Sequence, residues 1–235
     1  RQRTENLSLF LGLDGQNTYS DAFGVELTRD KIRSLRLRAN YDVQDRWSGF
    51  NLLNATLSRG LGVMSASDAG DANLSRVQAQ PDYTTLSVSA ARLQPLPAQL
   101  TLVAQLAGQW ASDPLFSAEE FGFGGQQFGR AYDPSELTGD HGLAGLLELR
   151  YEGLDEWRDF ALTPFGYYDI GRTWDEDSDG QTRSAASAGF GLRYRHALGL
   201  KGMLGLAFPL TKPIDNPIYG NAKQPRVMFQ LGLDV

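Results

Sequence analysis

One arginine stands alone behind a run of glycines and aromatics, in Phe121-Gly122-Phe123-Gly124-Gly125-Gln126-Gln127-Phe128-Gly129-Arg130-Ala131-Tyr132. Glycine lets a backbone turn tightly and lie close against a wall, so such a loop can carry its arginine into a confined place. A guanidinium is a planar fork of donors that can meet a carboxylate through two hydrogen bonds, which fixes direction as well as energy. The same stretch ends in Gly139-Asp140-His141-Gly142. A His beside an Asp could activate a serine or a water, the chemistry of a hydrolase. His196, the other histidine, has no acid beside it. Further on, Trp174-Asp175-Glu176-Asp177-Ser178-Asp179-Gly180 opens with the spacing of a calcium loop. The twelfth loop position, which needs a bidentate Glu, falls on Ala186, so this reads as a solvated acidic tip. Gly122-Phe123-Gly124 lacks the strand-to-helix context and the downstream acid of a dinucleotide site. The expectation is no catalytic residue, no metal and no cofactor.

Composition narrows the classes further. The 235 residues carry a net charge of −6 and a pI near 5.0, which excludes a large positive surface for nucleic acid. There is no cysteine, so no disulfide scaffold and no thiolate metal site. No apolar run is long enough for a transmembrane helix. The chain opens at Arg1 without an initiator Met or an apolar leader, and reads as a processed product or a fragment.

The elements that must position Arg130 are strands. Apolar and polar residues alternate with period two: Leu35, Leu37, Ala39, Tyr41 and Val43 oppose Arg36, Arg38, Asn40, Asp42 and Gln44. Val227, Phe229, Leu231, Leu233 and Val235 oppose Met228, Gln230, Gly232 and Asp234. Ten such segments fall at 5–13, 32–45, 49–59, 84–93, 100–110, 143–151, 160–170, 184–194, 200–209 and 227–235. Soluble strands average about five or six residues, whereas a tilted strand crossing a bilayer needs about 9–11. Length therefore points to a membrane barrel.

The connections support this. Those at 14–31, 60–83, 111–142, 171–183 and 210–226 are long, and those at 46–48, 94–99, 152–159 and 195–199 are short. Outer-membrane barrels alternate brief periplasmic turns with longer outer loops. Trp47, Trp110, Tyr151, Trp157, Tyr168, Trp174 and Tyr194 lie near strand ends, where amphipathic rings meet the bilayer interfaces. A lipid-facing Arg near the midplane costs about 2–4 kcal/mol, so the polar faces look inward. Arg36, Arg38, Glu148, Asp169 and Arg193 then line a wet lumen. Leucines meet lipid, although the mean hydropathy is only −0.34.

With these elements in place, the loop at 111–142 resembles the signature loop of the hemolysin secretion/activation family, the two-partner secretion transporters among polypeptide-transporting outer-membrane barrels. In that family a Gly-Gly pair precedes Val-Arg-Gly-Tyr/Phe, then an acidic stretch and Gly-Asp-x-Gly. Gly124-Gly125 matches the pair, Gly129-Arg130-Ala131-Tyr132 the tetrad, and Gly139-Asp140-His141-Gly142 the last element. Gly129 replaces the Val, and Ala131 the Gly. Phe165-Gly166-Tyr167-Tyr168-Asp169-Ile170-Gly171 resembles the family's Phe-x-x-x-Asp-x-Gly strand motif; strand parity puts Phe165, Tyr167, Asp169 and Gly171 on one inward face.

The resemblance implies an all-β fold, an antiparallel transmembrane β-barrel with about ten strands here, corresponding to strands seven to sixteen of a sixteen-stranded barrel. A closed ten-stranded barrel is the alternative. Residues 1–235 would be the C-terminal part of one barrel domain, with loop 111–142 folded into the lumen and N-terminal periplasmic domains lying outside the sequence. Asp169 would receive Arg130, with Glu148 as a second acid nearby. The implied activity is export of a partner polypeptide, unfolded in transit, across the bacterial outer membrane, in contact with its lipid and without nucleic acid. Alternatives within the superfamily are a barrel-assembly factor and a barrel fused to a displayed passenger; a diffusion porin and a barrel hydrolase lie further off.

Overall fold

Alternating apolar and polar side chains commit each long segment to a pleated strand with one greasy and one wet face. The computed structural model describes residues 5–154, 160–176, 182–211 and 224–234. In chain order the strands are β1 (Glu5–Ala22), β2 (Val25–Gln44), β3 (Phe50–Gly60), β4 (Thr84–Leu96), β5 (Leu100–Ala111), β6 (Phe121–Phe123), β7 (Leu137–Gly139), β8 (His141–Tyr151), β9 (Phe160–Trp174), β10 (Thr182–His196), β11 (Leu200–Pro209) and β12 (Arg226–Leu233). All but β6 and β7 form one antiparallel sheet in chain order, β1-β2-β3-β4-β5-β8-β9-β10-β11-β12. The sheet is open, with β1 and β12 as its edges. The short pair β6 and β7 is a separate hairpin inside the long loop.

The faces follow the alternation. Leu9, Leu11, Leu37, Leu57, Leu106, Leu147, Ile170, Leu204 and Phe229 are exposed on the outside. The interleaved Ser34, Ala144, Leu146, Glu148, Tyr167, Asp169 and Ser187 are buried on the opposite face. Among the described residues there is no ordinary globular core, because the apolar side of the long strands is turned outward. Two buried clusters replace it. One joins Phe123, Phe128, Tyr132 and Leu137 of the loop to Leu146, Phe165 and Tyr167 of the wall. The other joins Ile32, Leu74, Tyr83, Leu115 and Phe116 beyond the ends of the strands.

Three sequence expectations need correction. Residues 14–31 are not a loop: β1 and β2 run on to a tight turn at Phe23 and Gly24, both with positive φ. One face of that stretch is polar and the other mixes Tyr19, Val25 and Leu27 with Asn17, Asp21, Arg29 and Lys31, so the alternation that marks a lipid-facing strand weakens while the pairing continues. Strict long–short alternation of connections therefore fails at the first one. Second, the 111–142 connection holds a small hairpin of its own. Third, Trp174 stacks on His141 with ring centroids 5.4 Å apart instead of standing free at an interface. Trp47, Trp110, Tyr151 and Tyr168 are exposed; Trp157 lies outside the described residues, as do Asp177–Gly180 of the acidic tip and most of 210–226.

Candidate functional site: the lumen loop and its anchorages

Glycines seat the loop. Gly124, Gly125 and Gly129 have φ of 125°, 102° and 70°, values that side-chain-bearing residues rarely adopt. A Cβ on Gly124 would lie 2.0 Å from the carbonyl oxygen of Asp133, so the turn closes only without one. Two aromatic rings of β6 then plug two glycines of the wall. Phe123 lies on Gly171, where an added Cβ would come within 2.1 Å of the ring, and Phe121 lies on Gly142, within 1.9 Å. Gly139 rests against the end of β9, with Trp174 O 2.9 Å from its Cβ position. The glycines that the sequence singles out are thus sockets and tight turns of a single docking surface.

Arg130 grips the wall through two different parts of itself. Its backbone N–H donates to Asp169 Oδ2 at 3.2 Å. Its side chain then passes over the Tyr167 ring, with the guanidinium carbon 4.4 Å from the centroid, and Nη1 reaches Glu148 Oε2 at 2.5 Å. The sequence expectation paired the guanidinium with Asp169 and put Glu148 alongside; in the structure the guanidinium belongs to Glu148. Register explains the exchange. Glu148 sits opposite Tyr167, and Asp169 opposite Leu146, one pleat away. Asp169, fully buried, is already held by the Ser187 hydroxyl across the β9–β10 ladder.

Glu148, 1% exposed, is shared. Arg150 Nε donates to its Oε1 at 2.7 Å and Arg193 Nη2 at 2.9 Å. Three guanidiniums around one carboxylate mean that Glu148 keeps two partners when Arg130 withdraws. Breaking a buried pair is costly mainly because it strands a charge, about 3–5 kcal/mol; here the wall side of the pair is never stranded.

The rest of the tetrad packs. Ala131 is buried, and buried Tyr132 donates its hydroxyl to the carbonyl of Ala186 at 2.9 Å, with Thr211 Oγ1 2.8 Å away. Next in the chain, Asp133 receives Arg226 of β12 at 2.5 Å.

Asp140 anchors the far end of the loop. Fully buried, it accepts the N–H groups of Leu115 at 2.8 Å and Glu176 at 3.0 Å, and pairs with Arg76. Against the burial that opposes it, these donors hold its carboxyl below the ordinary range. His141 uses both ring nitrogens: Nδ1 accepts the Ala111 N–H at 3.3 Å and Nε2 lies 2.5 Å from Glu176 Oε2. That leaves no ring nitrogen to serve a nucleophile. Among the described residues no cluster of potential metal ligands is present, and Asp175, from the acidic tip, faces Arg76 instead.

Arg76, Arg150, Ser187 and Arg226 escaped the sequence reading, and Glu176, read as part of a solvated acidic tip, is bonded to His141 and Asp140. Ser187 follows from register, being the residue opposite Asp169. Arg76 sits in a loop without motif or periodicity, and nothing local marks it.

The docking surface thus has two parts, glycine sockets below and an arginine over an aromatic above. The sequence profile of the family described as haemolysin secretion/activation protein ShlB/FhaC/HecB matches residues 1–194. The chain belongs to that family. Its fold is similar to that of CdiB from Escherichia coli, at TM-score 0.80 and 19% identity, over 98% of this chain and 42% of that one. The chain thus spans less than half the length of this structural relative. No curated protein sequence matches it. The open sheet is accordingly part of an antiparallel transmembrane β-barrel.

Proposed function

We propose that this chain is the C-terminal portion of an outer-membrane pore that exports a partner polypeptide, its strands being the seventh to sixteenth of a sixteen-stranded barrel. The observation that carries the reading is Arg130 held on Glu148 by a loop folded against the inner wall. A diffusion pore has no use for a plug built on glycine sockets; a transporter of chains needs one that seals at rest and can let go. The shared Glu148 suits release, because Arg150 and Arg193 keep it neutralised. An extended substrate would pair with the wall through main-chain hydrogen bonds, which tolerate any sequence. No nucleotide or cofactor is required: folding of the exported chain outside supplies direction. The site residues act together, Gly124, Gly125 and Gly129 as hinges, Gly142 and Gly171 as sockets, and Arg130 with Glu148 and Asp169 as the catch.

The test is secretion by full-length Arg130→Ala protein. It should insert into the outer membrane at ordinary levels and export none of its partner. Ordinary export by that variant would overturn the proposal.

A further inference from the structure

A second anchorage lies at the outer end of the barrel, on the connection between β3 and β4. This segment, 61–83, keeps exposed side chains such as Met64 and Val77, but its backbone is tied down along its length. It lies along the extended part of β2, where Arg29 N–H donates to Asn73 O at 2.6 Å and Ser67 N–H to Lys31 O at 2.9 Å, while Ser75 N–H donates to the buried Asp30 at 3.0 Å. It then crosses onto the root of the lumen loop. Gln80 N–H reaches Pro114 O at 2.9 Å, Ser117 N–H donates to Ser75 Oγ at 3.1 Å, and Leu74 and Tyr83 pack with Leu115 and Phe116.

Arg76 closes this arrangement. Its guanidinium donates to Leu115 O at 2.9 Å and to both oxygens of Asp140. It also lies 3.5 Å from Glu120 and 3.5 Å from Asp175. One cation therefore meets three carboxylates from both roots of the lumen loop and from the connection after β9. Its side chain is only 15% exposed, and Asp140 is fully enclosed.

The geometry points to Arg76 as an outer latch: by holding segment 61–83 on Asp140, Glu120 and Asp175 it locks that segment onto both roots of the loop, and a polypeptide leaves only when this contact parts. Arg76 is a positioning residue that acts through Asp140, and the inference rests on the export reading above. The latch is separate from the Arg130 catch: the two share no partner and hold different parts of the loop. Its three carboxylates repel one another once Arg76 withdraws, and Arg183, which also acts on Glu120, offsets part of that repulsion.

A strut and a latch differ in one respect, since a strut works when welded and a latch does not. The absence of cysteine in this sequence permits a weld. Ser75→Cys with Ser117→Cys joins the segment to the loop root where the two already touch. In the full-length transporter, oxidation of the pair should abolish export of the partner and reduction by a small thiol should restore it. Unchanged export with the cross-link complete overturns the latch. Conductance of the same protein in planar bilayers reads the latch without any partner. The oxidised pair should suppress channel openings and Arg76→Gln should increase them; openings unaffected by either change also overturn it. Absence of export from the unmodified protein would count against the export reading alone, with conductance still deciding the latch.

Discussion

Arg130 Nη1 lies 2.5 Å from Glu148 Oε2, and that short distance is the product of a long path. The backbone of Arg130 is fixed one pleat higher, at Asp169, and the side chain descends across Tyr167 to reach its partner. Two carboxylates thus share one residue, one taking the peptide N–H and the other the charge. Their substitutions should not be equivalent.

Glu148→Gln leaves Arg130, Arg150 and Arg193 without their common counter-charge, a loss of about 3–5 kcal/mol in a dry site and less in a hydrated lumen. Asp169→Asn keeps an oxygen for the Arg130 N–H and should cost about 1 kcal/mol, the scale of one hydrogen bond. Urea unfolding in lipid vesicles, followed by the gel mobility of the folded barrel, should rank Glu148→Gln as the more damaging. The reverse ranking would show that Asp169 carries the anchorage.

Gly171→Val puts side-chain atoms where the Phe123 ring lies, 2.1 Å from the Cβ position. Strand propensity alone would make this a stabilising change. The expected result is a displaced lumen loop, cut by protease added from outside, with protection recovered when Phe123→Ala is added. Failure of the second substitution to restore protection would mean that the ring and the glycine are not a matched pair.

Leu147 and Glu148 are neighbours on opposite faces. Leu147→Arg faces lipid and should cost about 2–4 kcal/mol, visible as reduced assembly in the membrane. Leu146→Arg, turned toward the lumen loop, should insert but disturb the packing around Phe165 and Tyr167. Equal insertion defects for the two would contradict the assignment of faces.

Glu120 gives the outer anchorage a pH response. Burial is the main cause that raises its carboxyl from 4.5 to about 7; Arg76 opposes the rise, Asp140 and Asp175 add to it, and Arg183 opposes it. The folded form therefore keeps a proton that the released form has lost. Anchorage should be strongest at and below pH 4.5, decline as the pH climbs through about 7, and then level off. Proteolysis of the 112–120 segment should be slower at about pH 5 than at about pH 8, and Glu120→Gln should remove that difference. Protection that grows with pH would refute the assignment.

Periodicity was the most legible feature. The alternation in Leu35–Gln44 and in Val227–Val235 is a local property, since each residue's face depends only on its parity along the strand. It sufficed to place Arg36, Glu148, Asp169 and Arg193 inward and to identify a barrel. It failed at 14–31, where Asn17, Asp21, Arg29 and Lys31 interrupt the face that carries Tyr19, Val25 and Leu27. Glycine spacing marked the lumen loop, yet not that Gly171 and Gly142 receive Phe123 and Phe121, because a socket is defined by what fills it.

What the sequence determined alone was therefore the strands, their two faces and the glycine-rich motif that carries Arg130. Only the tertiary structure decided which acid that arginine meets, that His141 is consumed by Ala111 and Glu176, and that Arg76 meets Asp140, Glu120 and Asp175. The physical reason is range. A side chain's face is settled within a few residues of backbone, whereas the partner of a charge depends on the path of a whole loop and on which neighbours have already occupied the nearer acceptor.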